Sequence, residues 1–139
     1  MPQDVTARLH VGMAGERETL IEPEDTATRW GSGVSEVLST PRLVALLESA
    51  ALGIVDHMLP DGWVTVGTHV DIEHMSATPI GMSVRARAVL TAVEGRRLTF
   101  EVTAYDQAGI IGRGMHERVA VQRRSFTERA ARKLNARDN

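Results

Sequence analysis

Thr40-Pro41-Arg42-Leu43-Val44-Ala45-Leu46-Leu47-Glu48-Ser49-Ala50-Ala51-Leu52-Gly53-Ile54-Val55 is the stretch that decides the fold. Pro41 suits the first turn of a helix, where its missing N–H costs nothing, and Thr40 can cap that turn. The spacing predicts a helix from Pro41 to about Met58, stopped by the turn signature Leu59-Pro60-Asp61-Gly62. Between Leu43 and Val55 only Glu48 and Ser49 are polar, which marks a central helix rather than a surface one. Glu48 shares a helical face with Val44, Ala51, Leu52 and Val55. A carboxylate on that face is expected to be desolvated, and an unpaired buried charge is costly, so Glu48 needs a partner or a chemical role.

Two residues could share that role. Thr40 starts the same helix, and His74 ends the next apolar strand. A hydroxyl, a carboxylate and an imidazole are the parts of an acyl-transfer site. The plainer readings are a helix cap for Thr40, a structural carboxylate for Glu48 and a strand-end histidine for His74. His69 and Asp71 alternate away from His74 and form only a weak metal-ligand pair, so no metal site is expected.

Upstream of the helix, residues 1–16 are polar and read as flexible or peripheral. A short strand is expected around Glu18–Glu22, ended by Pro23, followed by a loop over Thr26–Ser39. Downstream, Trp63–Ile72 alternates, with Val64, Val66, Val70 and Ile72 on one face and His74 in the same parity. Met82–Val93 and Arg97–Asp106 place Val84, Ala86, Ala88 and Leu90, then Leu98, Phe100, Val102 and Ala104, inward around a turn at Glu94-Gly95. Gln107-Ala108-Gly109 makes a second turn, and Ile110–Gln122 is the last strand, with Gly112 and Gly114 as markers of a bulge. One early strand, one buried helix and about four antiparallel strands predict an α+β domain. A sheet buries such a helix by curling around it. That arrangement is the hotdog fold, whose edge strands can pair across a homodimer.

The 139 residues suit a single domain over 1–139. No apolar run approaches the roughly 20 residues needed to span a bilayer, and Met1-Pro2-Gln3-Asp4-Val5 lacks the basic and apolar parts of a signal peptide. The expectation is a cytoplasmic protein without a membrane partner. The absence of cysteine excludes disulfides, a thiol nucleophile and cysteine-ligated zinc. From Arg123 to Asn139 six basic residues face two acidic ones, a net +4 that leaves −6 for the remainder. This segment, 124–139 especially, reads as a solvated helix or tail, or as a basic rim for a phosphorylated ligand. Phe126 is its one aromatic, so nucleic acid is not expected as a partner.

Thr40 eight residues before Glu48, His74 twenty-six after it, Val93-Glu94-Gly95-Arg96-Arg97-Leu98 at the hairpin and His116-Glu117-Arg118 in the last strand form a joint pattern. Over about residues 36–122 the chain resembles the fluoroacetyl-CoA thioesterase branch of the hotdog superfamily. The resemblance implies hydrolysis of a small acyl-CoA thioester at a site near a dimer interface. It implies catalytic roles for Thr40, Glu48 and His74, a backbone group at Gly67, beside Thr68, near the thioester carbonyl, and a supporting Arg118. It also implies cations for the CoA phosphates, for which Arg96 and Arg97 are candidates beside Arg42, Arg123 and Arg124. Coenzyme A enters as part of the substrate, with no separate cofactor. A homodimer, or a tetramer formed by two such dimers, is the expected assembly. The family's lid ahead of the threonine contains phenylalanine, whereas Thr26–Ser39 is shorter and holds one aromatic, Trp30. That difference separates the general thioesterase expectation from selectivity for a fluorinated acyl group. The rival readings are a non-catalytic acyl-CoA or small-ligand binder on the same fold, an enoyl-CoA hydratase or dehydratase, and a structural dimerisation module.

Overall fold

The computed structural model describes residues 4–136, so the ends of both terminal segments, 1–3 and 137–139, lie outside it. Its elements are β1 (Ala14–Leu20), a short α1 (Ala27–Trp30), the long α2 (Thr40–Val55), β2 (Trp63–His74), β3 (Ser83–Glu94), β4 (Arg97–Asp106), β5 (Gly109–Gln122), α3 (Arg123–Ala131) and α4 (Lys133–Ala136). The strands form one antiparallel sheet in the order β1-β3-β4-β5-β2, with β1 and β2 at its edges. α2 packs against β1 to β4.

The core follows from two periodicities. On α2 the buried residues are Leu43, Leu46, Leu47, Ala50, Ala51, Ile54 and Val55, a stripe at alternate spacings of three and one. On the sheet, Val84, Ala86, Ala88 and Leu90 of β3 and Leu98, Phe100, Val102 and Ala104 of β4 are all fully buried, as their alternation predicts. The far flank of α2, with Val44, Ala45, Glu48, Ser49 and Leu52, is only half-buried in the single chain. The helix is therefore apolar on more of its circumference than its own sheet covers.

Several expectations shift. α2 ends at Val55 and tightens into a 3-10 turn over Asp56–Met58. The first strand lies earlier, at Ala14–Leu20, and stops before Ile21, which is buried. The stretch Thr26–Ser39, expected to be a loop, contains α1, closed by Gly31 in the left-handed conformation (φ 67°), and bridges from Thr26 to Leu38 and from Val37 to Pro79. In the first segment Val5 and Leu9 are buried in the core, and the Thr6 hydroxyl donates to the Gly95 carbonyl (3.0 Å).

The largest change is in β2. Its register with β5 slips between Gly67 and His69, so Thr68 is an extra residue that reverses the alternation. Before the slip, Trp63, Thr65 and Gly67 have the inward parity, and Thr65 is buried while Val64 and Val66 are not. After it, Val70, Ile72 and His74 do, paired with His116, Gly114 and Gly112. Val64 and Val66 therefore do not share a face with Val70 and Ile72. A second slip leaves Ile111 unpaired and buried just ahead of Gly112. Gly114 itself is needed for close approach, because a Cβ there would collide with the Asp71 backbone carbonyl.

Candidate active site

The N-terminus of α2 builds the first half of the site. The helix is capped by Ser39, not Thr40: the buried Ser39 hydroxyl accepts from the Arg42 N–H at 3.1 Å. Of two adjacent hydroxyls, the earlier one lies in the extended conformation a cap requires (φ −74°, ψ 151°). Thr40 thereby becomes the first helical residue and its hydroxyl is released from capping. That hydroxyl lies 2.7 Å from His74 Nδ1. Burial lowers the His74 pKa, so the ring is neutral near pH 7. Its Nε2 is buried and has no hydrogen-bond partner among the described residues. The pair sits in a cleft of about 320 Å³ whose wall is the 27–40 segment, with Val37, Leu38, Met75 and Ala77 as apolar lining.

The second half lies further along the helix. Glu48 Oε2 is 3.7 Å from Arg118 Nη1. The carboxylate is not desolvated as the helical face implied: its side chain is 38 % exposed, because the flank of α2 that carries it is uncovered in the single chain. Arg118 is the buried member, 6 % exposed, and is held on three sides. Its Nε donates to Thr65 Oγ1 (2.7 Å), its Nη2 to the Thr65 carbonyl (3.0 Å), and its Nη1 to His116 Nε2 (3.2 Å). The Thr65 hydroxyl in turn donates to Asp56 in a short hydrogen bond, and the Thr65 N–H donates to the same carboxylate. His116 Nδ1 donates to the His69 carbonyl at 2.8 Å, and its ring stacks with Phe100, centroids 6.1 Å apart. A ring that donates at Nδ1 and accepts at Nε2 is neutral, consistent with its pKa, which burial lowers. Burial also lowers the Arg118 pKa, opposed by the charges of Asp56 and Glu48. Gly67 completes this half: a Cβ built there would stand 2.6 Å from Glu48 Oε2, 3.2 Å from His116 Cε1 and 3.4 Å from Arg118 Nη1.

Thr40 and His74 thus meet, and Glu48, Gly67 and Arg118 meet, as two clusters. Eight residues of α2 separate Thr40 from Glu48, about 12 Å of helix rise. Thr68 is the bulge residue, exposed, its hydroxyl donating to the Glu117 carbonyl (3.3 Å). Arg96 lies over the Trp63 ring at 4.5 Å, whereas Arg97 is exposed with outward parity beside Leu98. Arg42 is engaged with Asp25 (2.7 Å), and Arg124 with Glu128 (3.4 Å). His69 and Asp71 are exposed on the outward face of β2, and no group able to hold a metal ion occurs among the described residues. Asp56 and Thr65 belong to the site without having been singled out from sequence. Thr65 looked outward-facing because the bulge that turns it inward has no local signal beyond Gly67.

The profile of the fluoroacetyl-CoA-specific thioesterase family matches residues 21–124. A fluoroacetyl-CoA thioesterase from Streptantibioticus cattleyicolor is 37 % identical over 101 residues, 73 % of each chain. The structure of a fluoroacetyl-CoA thioesterase superposes with a TM-score of 0.86 at 30 % identity, covering 90 % of this chain and 97 % of that one. A hot-dog-like protein from Thermanaerovibrio acidaminovorans gives 0.85 at 26 % identity, covering 94 % and 97 %. A thioesterase superfamily member from Thermus thermophilus gives 0.82 at 30 %, covering 92 % and 94 %. No helix among the described residues is long and apolar enough to cross a membrane. With its sheet order, its central helix and these relatives, the chain has the hotdog fold and belongs to the fluoroacetyl-CoA-specific thioesterase family.

Proposed function

We propose that this protein hydrolyses a small acyl-CoA thioester to the free acid and CoA, using Glu48, His74 and Thr40. The observation that carries the reading is the 2.7 Å contact between the Thr40 hydroxyl and a half-buried, neutral His74 at the head of a cleft, in a chain of a thioesterase family. Hydrolysis needs a nucleophile, a proton donor for the leaving thiolate and a donor to the carbonyl oxygen. The Glu48 carboxylate takes a proton from water as the water oxygen attacks the thioester carbon, or attacks that carbon itself to give an acyl anhydride that water then cleaves to the free acid and the carboxylate. The carbon–sulfur bond then breaks, the Thr40–His74 pair passes a proton to the leaving thiolate, and the proton released by the attacking water restores the pair. The Gly67 N–H polarises the carbonyl. Arg118, 3.7 Å away, orients Glu48.

The enzyme works as a homodimer. Two features support this: the half-buried apolar flank of α2 and the unpaired outer edge of β2. In such a dimer the Glu48 of one protomer approaches the Thr40–His74 pair of its partner, closing the roughly 12 Å gap within one chain. The substrate is a short acyl group, matching the small cleft of about 320 Å³ beside Thr40, lined by both apolar and hydroxyl side chains.

Free-thiol release from short, branched, aromatic and fluorinated acyl-CoAs tests the reading, with Glu48→Gln alongside. Turnover of at least one substrate is expected, with kcat falling about 10²–10⁴-fold in the variant, as for loss of a general base. Equal rates in the two proteins would remove Glu48 from the mechanism. No thiol release from any substrate would remove the hydrolase reading.

A further inference from the structure

Three arginines converge on one groove that the chemistry above does not use. A cavity of about 450 Å³ is lined by Trp63, Arg96, Gln122, Ser125, Arg129 and Arg132, together with the end of β5. Arg129 and Arg132 stand three residues apart, at the last turn of α3 and just after it, and so lie on the same side. Arg96 comes from the β3–β4 turn, and its guanidinium carbon lies over the Trp63 ring, 4.5 Å from the ring centroid. No acidic residue lines the cavity, and among the described residues none of the three guanidiniums has a carboxylate partner. Like charges gathered around one concavity make a focused positive field suited to an anion. Guanidiniums match phosphate oxygens in geometry, and an exposed guanidinium plane on an indole offers a stacking surface for a base.

The groove's position specifies the anion. Trp63, Thr65 and Gly67 share the inward parity of β2, and Gly67 abuts Glu48. Trp63 is therefore four residues, about 13 Å of strand, from the reacting end. Arg129 and Arg132 lie beyond residues 21–124, so this basic wall is not part of the span that matches the family. We infer that the groove binds the phosphorylated nucleotide end of the acyl-CoA, with Arg129 and Arg132 on phosphate and Arg96 against the base. It makes the enzyme select CoA esters over thioesters that lack the nucleotide, whether on pantetheine or on the phosphopantetheine arm of a carrier protein. Among the cations considered from sequence, this selects Arg96 over Arg42 and Arg124, which are occupied by Asp25 and Glu128. The inference rests on the thioesterase reading.

The test compares hydrolysis of one acyl group presented as the CoA ester and as the pantetheine ester, in wild type, Arg129→Ala/Arg132→Ala and Arg96→Ala. Binding of free CoA is followed in parallel by calorimetry. The double variant should raise KM for the CoA ester about tenfold or more, the size of one lost charge-assisted hydrogen bond. Its kcat and its kinetics on the pantetheine ester should be unchanged. Arg124→Ala, on the same helix but paired to Glu128, should behave as wild type. An unchanged KM for the CoA ester, or an equal loss on both esters, overturns the groove while leaving the hydrolase reading intact. If neither ester is hydrolysed, the hydrolase reading fails and calorimetry decides for the groove. CoA affinity lost in the double variant sustains it. Affinity equal to wild type, or no CoA binding by wild type, ends it.

Discussion

Gly67 lies so close to the Glu48 carboxylate that a methyl group on its Cα would stand 2.6 Å from Oε2. No side chain fits between the β2 backbone and this acid, so the glycine is a condition for Glu48 standing where it does. Gly67→Ala should push the carboxylate aside, and Glu48, at the end of a flexible side chain, can yield. A misplacement of about 1 Å can cost about 10²-fold in rate, so kcat should fall by that order. The urea midpoint should move far less than for a core truncation, which costs about 2–5 kcal/mol. Thiol-release kinetics and urea unfolding on the same preparation check both halves.

A site shared by two protomers, as proposed, makes a complementation prediction. Thr40→Ala and Glu48→Gln are each expected to be inactive alone. Co-expressed, half the dimers should be mixed, with one of their two sites intact, so activity should recover to about a quarter of wild type. If all three residues act within one chain, the mixture stays inactive.

Arg118 owes its orientation to Thr65 and Asp56. Asp56→Ala removes the acceptor that holds the Thr65 hydroxyl and one of the two negative charges facing the buried guanidinium. Loss of such a partner to a buried polar group costs about 1–3 kcal/mol, which urea unfolding should read directly. Because Arg118 then turns away from Glu48, kcat should fall as well. Asp56→Asn, which keeps one acceptor oxygen, should recover part of both.

Burial lowers the pKa of both His74 and His116 from the ordinary 6.5. Unfolding returns each to that value. Between the folded and unfolded pKa values the unfolded chain holds more protons, so stability rises with pH there. The contribution is therefore complete above about pH 6.5 and is lost as pH falls below it. The urea midpoint should drop from about pH 7.5 to about pH 5, and the drop should be smaller in His116→Gln, which cannot titrate. An equal drop in that variant would remove His116 from the pH response.

Much of this protein is written in near neighbours along the chain. Pro41 after two hydroxyls, the 43-46-47-50-51-54-55 apolar stripe, and the strict alternation of β3 and β4 around Gly95 are local signals, and each element formed where they pointed. Helix propagation and strand pleat have fixed periods, so a few residues suffice to read them. They determined a central helix under a curled antiparallel sheet. Thr40, Glu48 and His74 stood out by their chemistry alone.

Tertiary structure decided what depends on register between strands far apart in sequence. The slip at Thr68 turns Thr65 and Gly67 inward, and it exists because β2 pairs with β5 some fifty residues later. Only that pairing brings Asp56, Thr65, His116 and Arg118 into one network. The choice of Ser39 over Thr40 as cap rested on backbone angles that two adjacent hydroxyls do not distinguish, and it freed Thr40 for His74, thirty-four residues away. Periodicity reports which face a residue has on its own element. Which faces meet is set by the pairing of whole strands and the packing of the helix on them, a property of the assembled chain.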